Sequence, residues 1–350
     1  MDKNWSEMNK EMQALLSKKS TFGEGIEKLL ALRKSLFEQI TQIVGNFPEE
    51  AFYQMPFAGA EGYHSKTLAY SIWHIFRIED IVAHEMIAED QQVLFRRNFQ
   101  EAIHSPVITT GNELSGSEIA SFSMQLNIKE LYRYAQEVMQ STDQILTHLE
   151  PSDLKRKFGD AMAEKLQQTG CVSNAESSGW LIGYWCGKDV LGLIRMPFSR
   201  HWIMHIEAMR RIKNELCRKA RKGVDPIAYC GLSCNHCFLK DWCGGCRTAY
   251  NTCSYATCSP DHVCPNTACC REKGVDGCYE CAELIGCQKG FYANGKDVNA
   301  IKAMALYIQK HGKTELARAL DRLHGRFSFQ KIQEILGDDL AEGLRILEES

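Results

Sequence analysis

The chain has 350 residues, an apolar fraction of 44% and a formal net charge of −3 at pH 7. This length predicts two or three domains, and this apolar fraction is sufficient for a hydrophobic core. The near-neutral charge argues against nucleic acid or an anionic membrane as a partner attracted by the overall charge of the chain. No apolar run reaches the ~20 residues that span a bilayer.

The N-terminal segment MDKNWSEMNKEMQ is polar and contains acidic residues, unlike a secretory signal or a transit peptide, so we expect a cytoplasmic protein. Apolar residues then recur at helical spacing over 24–44, about 66–89 and about 129–149, and in a fourth segment that ends near 221 and has Ser199 as its expected N-cap. The Gly-, Ser- and Asn-containing segments 91–127 and 169–197 are expected to be irregular connections. The sequence therefore predicts a mainly α protein with an N-terminal four-helix bundle.

Two histidines lie four residues apart at the start of the last of these helices, in the sequence RHWIMH. His205 shares a helix face with Trp202, Ile206 and Met209 and is expected to point inward, and His201 lies one turn earlier at the edge of that face. Side chains at i and i+4 are about 5–6 Å apart at Cβ, which allows two imidazoles to bind one ion. On spacing alone, two buried core histidines on one helix face remain the alternative.

The second predicted helix offers a third histidine in the sequence YSIWHIFRIEDIVAHEM. His74 lies beside an apolar stripe that includes Ile78, and with His201 and His205 it could form a three-histidine site. Such a site leaves a fourth position open to water or substrate, as in catalytic metal centres. Periodicity alone does not select His74, because this part of the chain also contains His64, His84, His104 and His148.

These histidines resemble those of the DinB-like superfamily of metal-binding four-helix bundles. In that family one histidine comes from the second helix and two, spaced by three residues, from the last long helix; the matching segments are SIWHIFRIED and MPFSRHWIMHIEAMRRIK, within residues 20–222. The resemblance implies a divalent ion, zinc or nickel, bound by His74, His201 and His205, and a small-molecule thiol as a substrate class. The segment IEAMRR departs from the Arg-Gly-Gln-like segment usual in the family, and bundles of this kind commonly form homodimers.

The chain has 16 cysteines, of which 13 lie between residues 230 and 287. In a reducing cytosol this density indicates metal ligands rather than disulfides. Three Cys-x2-Cys pairs (234/237, 243/246 and 278/281) have the spacing that places two sulfurs on one tetrahedral ion. The candidate ligands are Cys230, Cys234, Cys237, Cys243, Cys246, Cys253, Cys258, Cys264, Cys269, Cys270, Cys278, Cys281 and Cys287.

The segment from 230 to about 290 is rich in turns and lacks an apolar period long enough to build a core. Bound metal could replace that core, because one structural zinc contributes about 10–16 kcal/mol. Thirteen cysteines with His236 and His262 give 15 candidate ligands, enough for two or three structural zinc ions. Iron–sulfur clusters and disulfides are the alternatives. Helical patterns return at about 297 and predict two or three short C-terminal helices.

Residues 229–291 resemble a bacterial family called domain of unknown function 3795, whose members begin with YCGL-x-C-x-x-C and end with C-x-x-C…C. The resemblance implies metal binding and gives no biochemical role. Between residues 230 and 290 there are five Lys or Arg and six Asp or Glu, a net charge of −1. This balance argues against a nucleic-acid partner.

The predicted organisation is a DinB-like helical bundle with a three-histidine metal site over residues 1–224, followed by a cysteine-rich metal-binding domain with terminal helices over residues 225–350. Two functions fit it. One is a metal-dependent enzyme that acts on a small molecule by thiol transfer or hydrolysis, which the open coordination position favours. The other is a non-catalytic metal- or redox-responsive protein, which the absence of an identified general base favours. Glu79 and Asp80 are the nearest carboxylates in sequence, but they are expected to point to other sides of the helix than His74.

Overall fold

The computed structural model describes residues 2–240, 243–248, 250, 263–293 and 298–350. Contacts divide the chain into two compact units, Met1–Lys213 and Asn214–Ser350, where the sequence predicted a boundary between 224 and 225. The prediction of a mainly α protein is confirmed. Isolated bridges pair Lys157 with Asp189 and Ile227 with Ser233.

The first unit is built from helices of very different lengths. Its α-helices are α1 (Lys3–Leu16), α2 (Phe22–Asn46), α3 (Leu68–Asp80), α4 (Val93–Arg96), α5 (Phe99–Ile103), α6 (Ser117–Gln125), α7 (Ile128–His148), α8 (Asp160–Gln168), α9 (Glu176–Cys186), α10 (Val190–Arg195) and α11 (His201–Ala220), whose last turns belong to the second unit. Two π-helical segments, Ile81–Ala88 and Met196–Arg200, follow α3 and precede α11. Single 3-10 turns occur at Lys19–Thr21, Glu49–Tyr53, Gly62–His64 and Asp153–Lys155.

The helices α2, α3, α7 and α11 coincide with the four long helical patterns of the sequence. The two segments expected to be irregular were predicted wrongly, because 91–127 contains α4, α5 and α6 and 169–197 contains α9 and α10. The N-cap expected at Ser199 is also wrong. Its hydroxyl donates to the carbonyl of Ile194 at 2.9 Å, inside the π-helical segment before α11.

The long helices of the first unit share one core. Helix α1 packs on α2, and α7 packs on both α2 and α3. The indole of Trp202 on α11 lies 4.8 Å from the ring of Phe76 on α3 and 6.4 Å from the ring of Phe37 on α2, centroid to centroid. Trp202 and Phe76 are fully buried, so aromatic packing holds the start of α11 against α3.

The second unit has four C-terminal helices where two or three were predicted. Its α-helices are α12 (Pro265–Lys273), α13 (Val298–His311), α14 (Lys313–His324), α15 (Phe329–Gly337) and α16 (Leu340–Glu349), with 3-10 turns at Cys234–His236, Cys278–Glu280 and Gly290–Tyr292. Helix α13 packs against α14, α15 and α16 in one apolar cluster. Tyr279, Leu284 and Tyr292 join that cluster from the cysteine-rich segment, which is therefore anchored on α13. None of the described helices combines the length and apolar character needed to cross a bilayer.

Candidate metal centre

Three buried histidines come together in the first unit, and we call them the histidine cluster. His74 lies on α3, and His201 and His205 lie on the first two turns of α11. One ring nitrogen of each lies within 4.8 Å of the others, and the Nε2 atoms of His74 and His201 are 3.2 Å apart. Among the described residues, no other group of three His, Cys, Asp or Glu side chains converges in this way. These are the three histidines that the sequence proposed as ligands.

The first turns of α3 and α11 position the histidine cluster. The Thr67 hydroxyl accepts the backbone N–H of Tyr70 at 3.0 Å and caps α3, on which every residue from Leu68 to Asp80 is buried. The spacing of His201 and His205 places their rings edge to face on one side of α11, with centroids 4.5 Å apart. The helices therefore bring imidazoles from two directions to one buried point.

A backbone carbonyl orients His74. Its Nδ1 lies 2.8 Å from the carbonyl oxygen of Thr110, which can only accept, so Nδ1 carries the proton and Nε2 keeps its lone pair. The Tyr70 ring stacks on the imidazole at 5.5 Å, and the Tyr70 hydroxyl donates to the Gly111 carbonyl at 3.0 Å. A histidine whose second ring nitrogen donates to a carbonyl in this way is typical of metal ligands.

The other two histidines have buried nitrogens without hydrogen-bond partners. Both ring nitrogens of His205 and Nδ1 of His201 are inaccessible to solvent and make no hydrogen bond. Buried polar atoms in proteins are almost always paired, because an unpaired one loses its hydration without compensation. The donor set therefore fits a cation, because His201 and His205 have buried ring nitrogens without a hydrogen-bond partner and Nε2 of His74 contacts another member of the cluster, Nε2 of His201.

Burial keeps the three rings neutral. It lowers the pKa of His74 to about 4 and holds the pKa of His201 and His205 well below the ordinary value, with a smaller contribution from the neighbouring histidines. Lys66 is close enough to lower the pKa of His74 and His205 further. Neutral imidazole is the form that binds a metal ion, so at pH 7 no proton has to be displaced from the cluster.

A cavity of about 230 Å³, the histidine cavity, adjoins the three rings. Trp180, Tyr184 and Trp185 of α9 form part of its wall, with Tyr63 and Asn112 among the other lining residues. The sequence prediction missed all five: three lie on α9, in a segment expected to be irregular, Asn112 lies in the other such segment, and Tyr63 lies in the 3-10 turn Gly62–His64. The run WLIGYW at 180–185 was the available signal, since its aromatic residues recur at i, i+4 and i+5.

The two carboxylates that follow His74 are engaged elsewhere, as their positions on the helix predicted. Both oxygens of Glu79 accept from Arg33, at 2.8 and 2.9 Å, and Oε2 also accepts from the Trp202 indole at 2.8 Å. Asp80 accepts two backbone N–H groups and the Tyr134 hydroxyl. Neither carboxylate serves as a general base at the cluster.

Cys186 is the last residue of α9, the helix that lines the histidine cavity. Burial raises its pKa, with a further contribution from Asp160. A raised pKa keeps the thiol protonated at neutral pH, and a protonated thiol is a weak nucleophile. Cys186 therefore supplies no activated nucleophile beside the histidine cluster.

In the second unit the described cysteines surround two cavities. One cavity, of about 110 Å³, is lined by Cys230, Cys234, Cys237, Cys243, Cys246 and Cys264. The other, of about 510 Å³, is lined by Cys269, Cys270, Cys278, Cys281 and Cys287. Cys253, Cys258 and His262 lie outside the described residues. Both ring nitrogens of His236 are engaged in hydrogen bonds, to Ser233 at 2.7 Å and to Asp321 at 2.9 Å.

The first cysteine cavity contains turns that resemble metal-binding knuckles. Backbone N–H groups of Leu239 and Gly245 each donate to the sulfur of the cysteine two residues earlier, Cys237 and Cys243, at 3.4 Å. Gly245 has φ +81°, a left-handed conformation that suits glycine in such a turn. No disulfide links any two of the described cysteines. These thiols could bind metal.

The sequence of the chain matches no protein-family model and no curated protein, and its fold matches no solved structure. What the site can do must therefore be inferred from its own residues. They form a buried, neutral set of three imidazoles beside a cavity, together with many cysteines in the second unit that could bind metal.

Proposed function

We propose that the first unit is a DinB-like four-helix bundle in which His74, His201 and His205 hold one divalent ion, zinc or nickel. We propose further that the chain is a metal-dependent enzyme that acts on a small molecule by thiol transfer or hydrolysis. One observation carries the proposal. Three buried imidazoles converge beside a cavity that is large enough for a small ligand, and His201 and His205 have ring nitrogens without a hydrogen-bond partner.

A divalent ion at this position would act as a Lewis acid and lower the pKa of a water or thiol beside it. The chain contributes orientation and exclusion of water. The Thr110 carbonyl holds the Nδ1 proton of His74, and Tyr70 fixes the plane of that ring. Aromatic side chains of α9 cover the cavity, where a low dielectric strengthens the interaction between the ion and its ligand.

In the second unit we propose two or three structural zinc ions. The pairs Cys234/Cys237 and Cys243/Cys246 line one small cavity, and two of these sulfurs already accept backbone N–H groups. The two pairs supply the four thiolates of a closed tetrahedral site, and ion binding would have to draw their sulfurs together, because no three of the described cysteines converge as the three histidines do. Burial raises the pKa of Cys234 to about 12, so zinc binding there displaces protons and weakens as the pH falls.

The second candidate function is a non-catalytic protein that binds metal or responds to metal supply or oxidants. The specific observation in its favour is the engagement of Glu79 and Asp80 in other contacts, which leaves the histidine cluster without a carboxylate base. We favour the enzyme because of the cavity beside the three histidines. A metal site that serves only for sensing or structure has all its positions filled by protein ligands and does not require such a cavity.

The metal centre is tested by metal analysis of the full chain. We expect His201→Ala and His205→Ala each to lower the bound divalent metal by about one equivalent, because three protein ligands are needed to retain an ion at an open site. The control is His148→Ala, which removes an exposed histidine from the end of α7 and should leave the metal content unchanged. Wild-type metal content in both cluster variants, with normal circular dichroism, would refute the centre.

Catalysis is tested separately on the same proteins. Wild type and His201→Ala are assayed with low-molecular-weight thiols plus an electrophile, and with small ester and amide substrates. Turnover that disappears in His201→Ala supports the enzyme. One equivalent of histidine-bound metal without turnover on any of these substrates favours the non-catalytic protein.

A further inference from the structure

Helix α9 gives the histidine cavity an aromatic wall. Trp180 and Tyr184 lie one turn apart, and their rings meet edge to face with centroids 5.6 Å apart. Leu181 and Trp185, on the same helix, also line the cavity. The Tyr63 ring lies edge to face with the imidazole of His205 at 4.7 Å. A ligand beside the histidines would therefore contact rings on at least two sides.

Trp180 is half exposed, although most of the large apolar side chains in the first unit are buried. Its exposed fraction is 55%, and its indole N–H donates to the Ser177 carbonyl at 3.0 Å. That bond satisfies the polar atom of the ring within its own helix. The ring therefore presents an apolar surface at the edge of a cavity, an arrangement typical of ligand-binding surfaces.

The chemistry of the lining disfavours a charged occupant. Of the described residues that line the histidine cavity, none is Asp, Glu, Lys or Arg, and the polar groups are those of Asn112 and the three histidines together with tyrosine hydroxyls and tryptophan N–H groups. A charged group placed among apolar side chains without a partner loses its hydration at high cost. A ligand can thus carry charge only at the atom that binds the ion.

The volume limits the size of the ligand. At about 230 Å³ the cavity is smaller than the ~300–1,000 Å³ of pockets that hold drug-sized molecules. One aromatic ring with a short metal-binding group fits this space, whereas a nucleotide or a peptide would have to extend into solvent.

We infer that the centre binds small molecules in which a metal-binding atom is joined to an uncharged aromatic or similarly bulky apolar group, and that Trp180 and Tyr184 recognise this group. The inference rests on the proposed metal centre and adds the class of ligand. It assigns to α9 the discrimination between ligands that share the same metal-binding atom, while the histidines bind the ion.

The test compares two probes that share a metal-binding group. Acetohydroxamate and benzohydroxamate differ in a methyl against a phenyl group, and each is titrated calorimetrically into the full metal-loaded chain. We expect benzohydroxamate to bind at least about tenfold more tightly, because its ring is removed from water between aromatic side chains. His201→Ala should abolish binding of both probes.

Variants of α9 test which side chains cause the preference for the phenyl group. We expect Trp180→Ala and Tyr184→Ala each to weaken benzohydroxamate binding about five- to tenfold and acetohydroxamate binding less than about twofold. Met124→Ala, which removes a similarly exposed apolar side chain from α6, is the matched control and should change neither. Metal content is measured on each variant, because all of them should keep the histidine-bound ion.

The outcomes separate the two proposals. Equal affinity for the two hydroxamates, or a phenyl preference that survives both α9 variants, overturns the inference and leaves the metal centre intact. Absence of hydroxamate binding by a protein that carries histidine-dependent metal also overturns it. Metal content that is insensitive to His201→Ala and His205→Ala instead refutes the proposed centre itself.

Discussion

At the scale of single residues, the carbonyl of Thr110 decides which nitrogen of His74 faces the cluster. A carbonyl cannot donate, so the imidazole must place its N–H there and direct Nε2 toward His201. Thr110 is itself fully buried, which shields this hydrogen bond from water. The orientation of the ring is therefore fixed before any ion binds, and little side-chain entropy is lost on binding.

In the second unit, Asp276 connects three segments through its carboxylate. Oδ1 accepts from Arg247 at 2.9 Å, and Oδ2 accepts from the Tyr279 hydroxyl at 2.6 Å and from the ammonium group of Lys313. The hydrogen bond from Lys313, followed by that from Tyr279, lowers the pKa of Asp276 to about 2. Ionised Asp276 thus joins α14 to the cysteine-rich segment.

This shift predicts a pH dependence of stability. A carboxyl whose pKa is lower in the folded state stabilises the protein above its unfolded pKa of about 4, and this contribution is lost as the pH falls toward 2. We expect Asp276→Asn to lower the thermal midpoint at pH 6, and we expect the difference from wild type to shrink toward zero near pH 2. Thermal unfolding followed at several pH values measures both effects.

The matched control is Asp338→Asn, which removes an exposed carboxylate just after α15. It should leave the thermal midpoint nearly unchanged across the same pH range, because exposed charges contribute little. A difference between Asp276→Asn and wild type that is the same at pH 6 and pH 2 would show that the carboxylate charge is not responsible.

At the scale of secondary-structure elements, Arg33 ties together the helices that position the histidine cluster. Its guanidinium on α2 binds both oxygens of Glu79 on α3 and, through Nε, Asp143 on α7 at 2.6 Å. The same guanidinium lies 4.6 Å from the ring centroid of Trp202 on α11. Arg33 and Glu79 are fully buried, so the pair is shielded from solvent.

Removing one partner of this pair should be strongly destabilising. We expect Arg33→Met to lower the free energy of unfolding of the first unit by about 3–5 kcal/mol, because Glu79 is left buried without its counter-ion. Adding Glu79→Gln to that variant removes the unpaired charge and should restore about half of the loss, since Gln can still accept from Trp202. Urea unfolding monitored by far-ultraviolet circular dichroism measures these values.

A matched variant on the same helix tests whether burial is the cause. Lys28 on α2 pairs with Glu11 at 2.8 Å, but both side chains are partly exposed. Lys28→Met should therefore change the free energy of unfolding by less than about 1 kcal/mol. A similar loss in Lys28→Met and Arg33→Met would contradict the role given to the buried pair.

The elements also show what periodicity can and cannot predict. Helices α2, α7 and α11 have 20 residues or more, so apolar residues recur on one face often enough to be recognised. Helices α4 and α5 have four and five residues, too few for a period. Helix α9 reads ESSGWLIGYWC, with two glycines and apolar residues on several faces, so no single stripe marks it.

The same limit applies to the candidate site. The spacing of His201 and His205 indicated a candidate pair, but periodicity did not select His74, which was chosen on the resemblance to the DinB-like superfamily. The run WLIGYW marked the aromatic residues of α9, but the sequence could not show that they line the same cavity as residues of α3 and α11. Long-range packing of this kind leaves no periodic pattern in a single sequence.

At the scale of the whole molecule, the two units are stabilised in different ways. The first unit buries a large apolar core that includes whole faces of its long helices. In the second unit, α13, α14, α15 and α16 enclose their own apolar cluster, and the cysteine-rich segment adds only a few side chains to it. The proposed zinc ions would therefore matter most for the turns around the cysteine cavities.

This difference predicts a local response to metal removal. When a chelator strips the full chain, we expect amide protection to fall in peptides covering residues 230–240 and 263–290, because each structural ion contributes about 10–16 kcal/mol to the turns that hold it. Peptides from α13 and α14 should keep most of their protection, since residues such as Ile301 and Leu320 stay buried without metal. Hydrogen exchange read by mass spectrometry measures both, with α2 and α7 as internal references. Metal analysis must show that the chelator has removed the metal. If protection over 230–240 and 263–290 is then unchanged, apolar anchoring on α13 holds these turns and the cysteines have no structural ion.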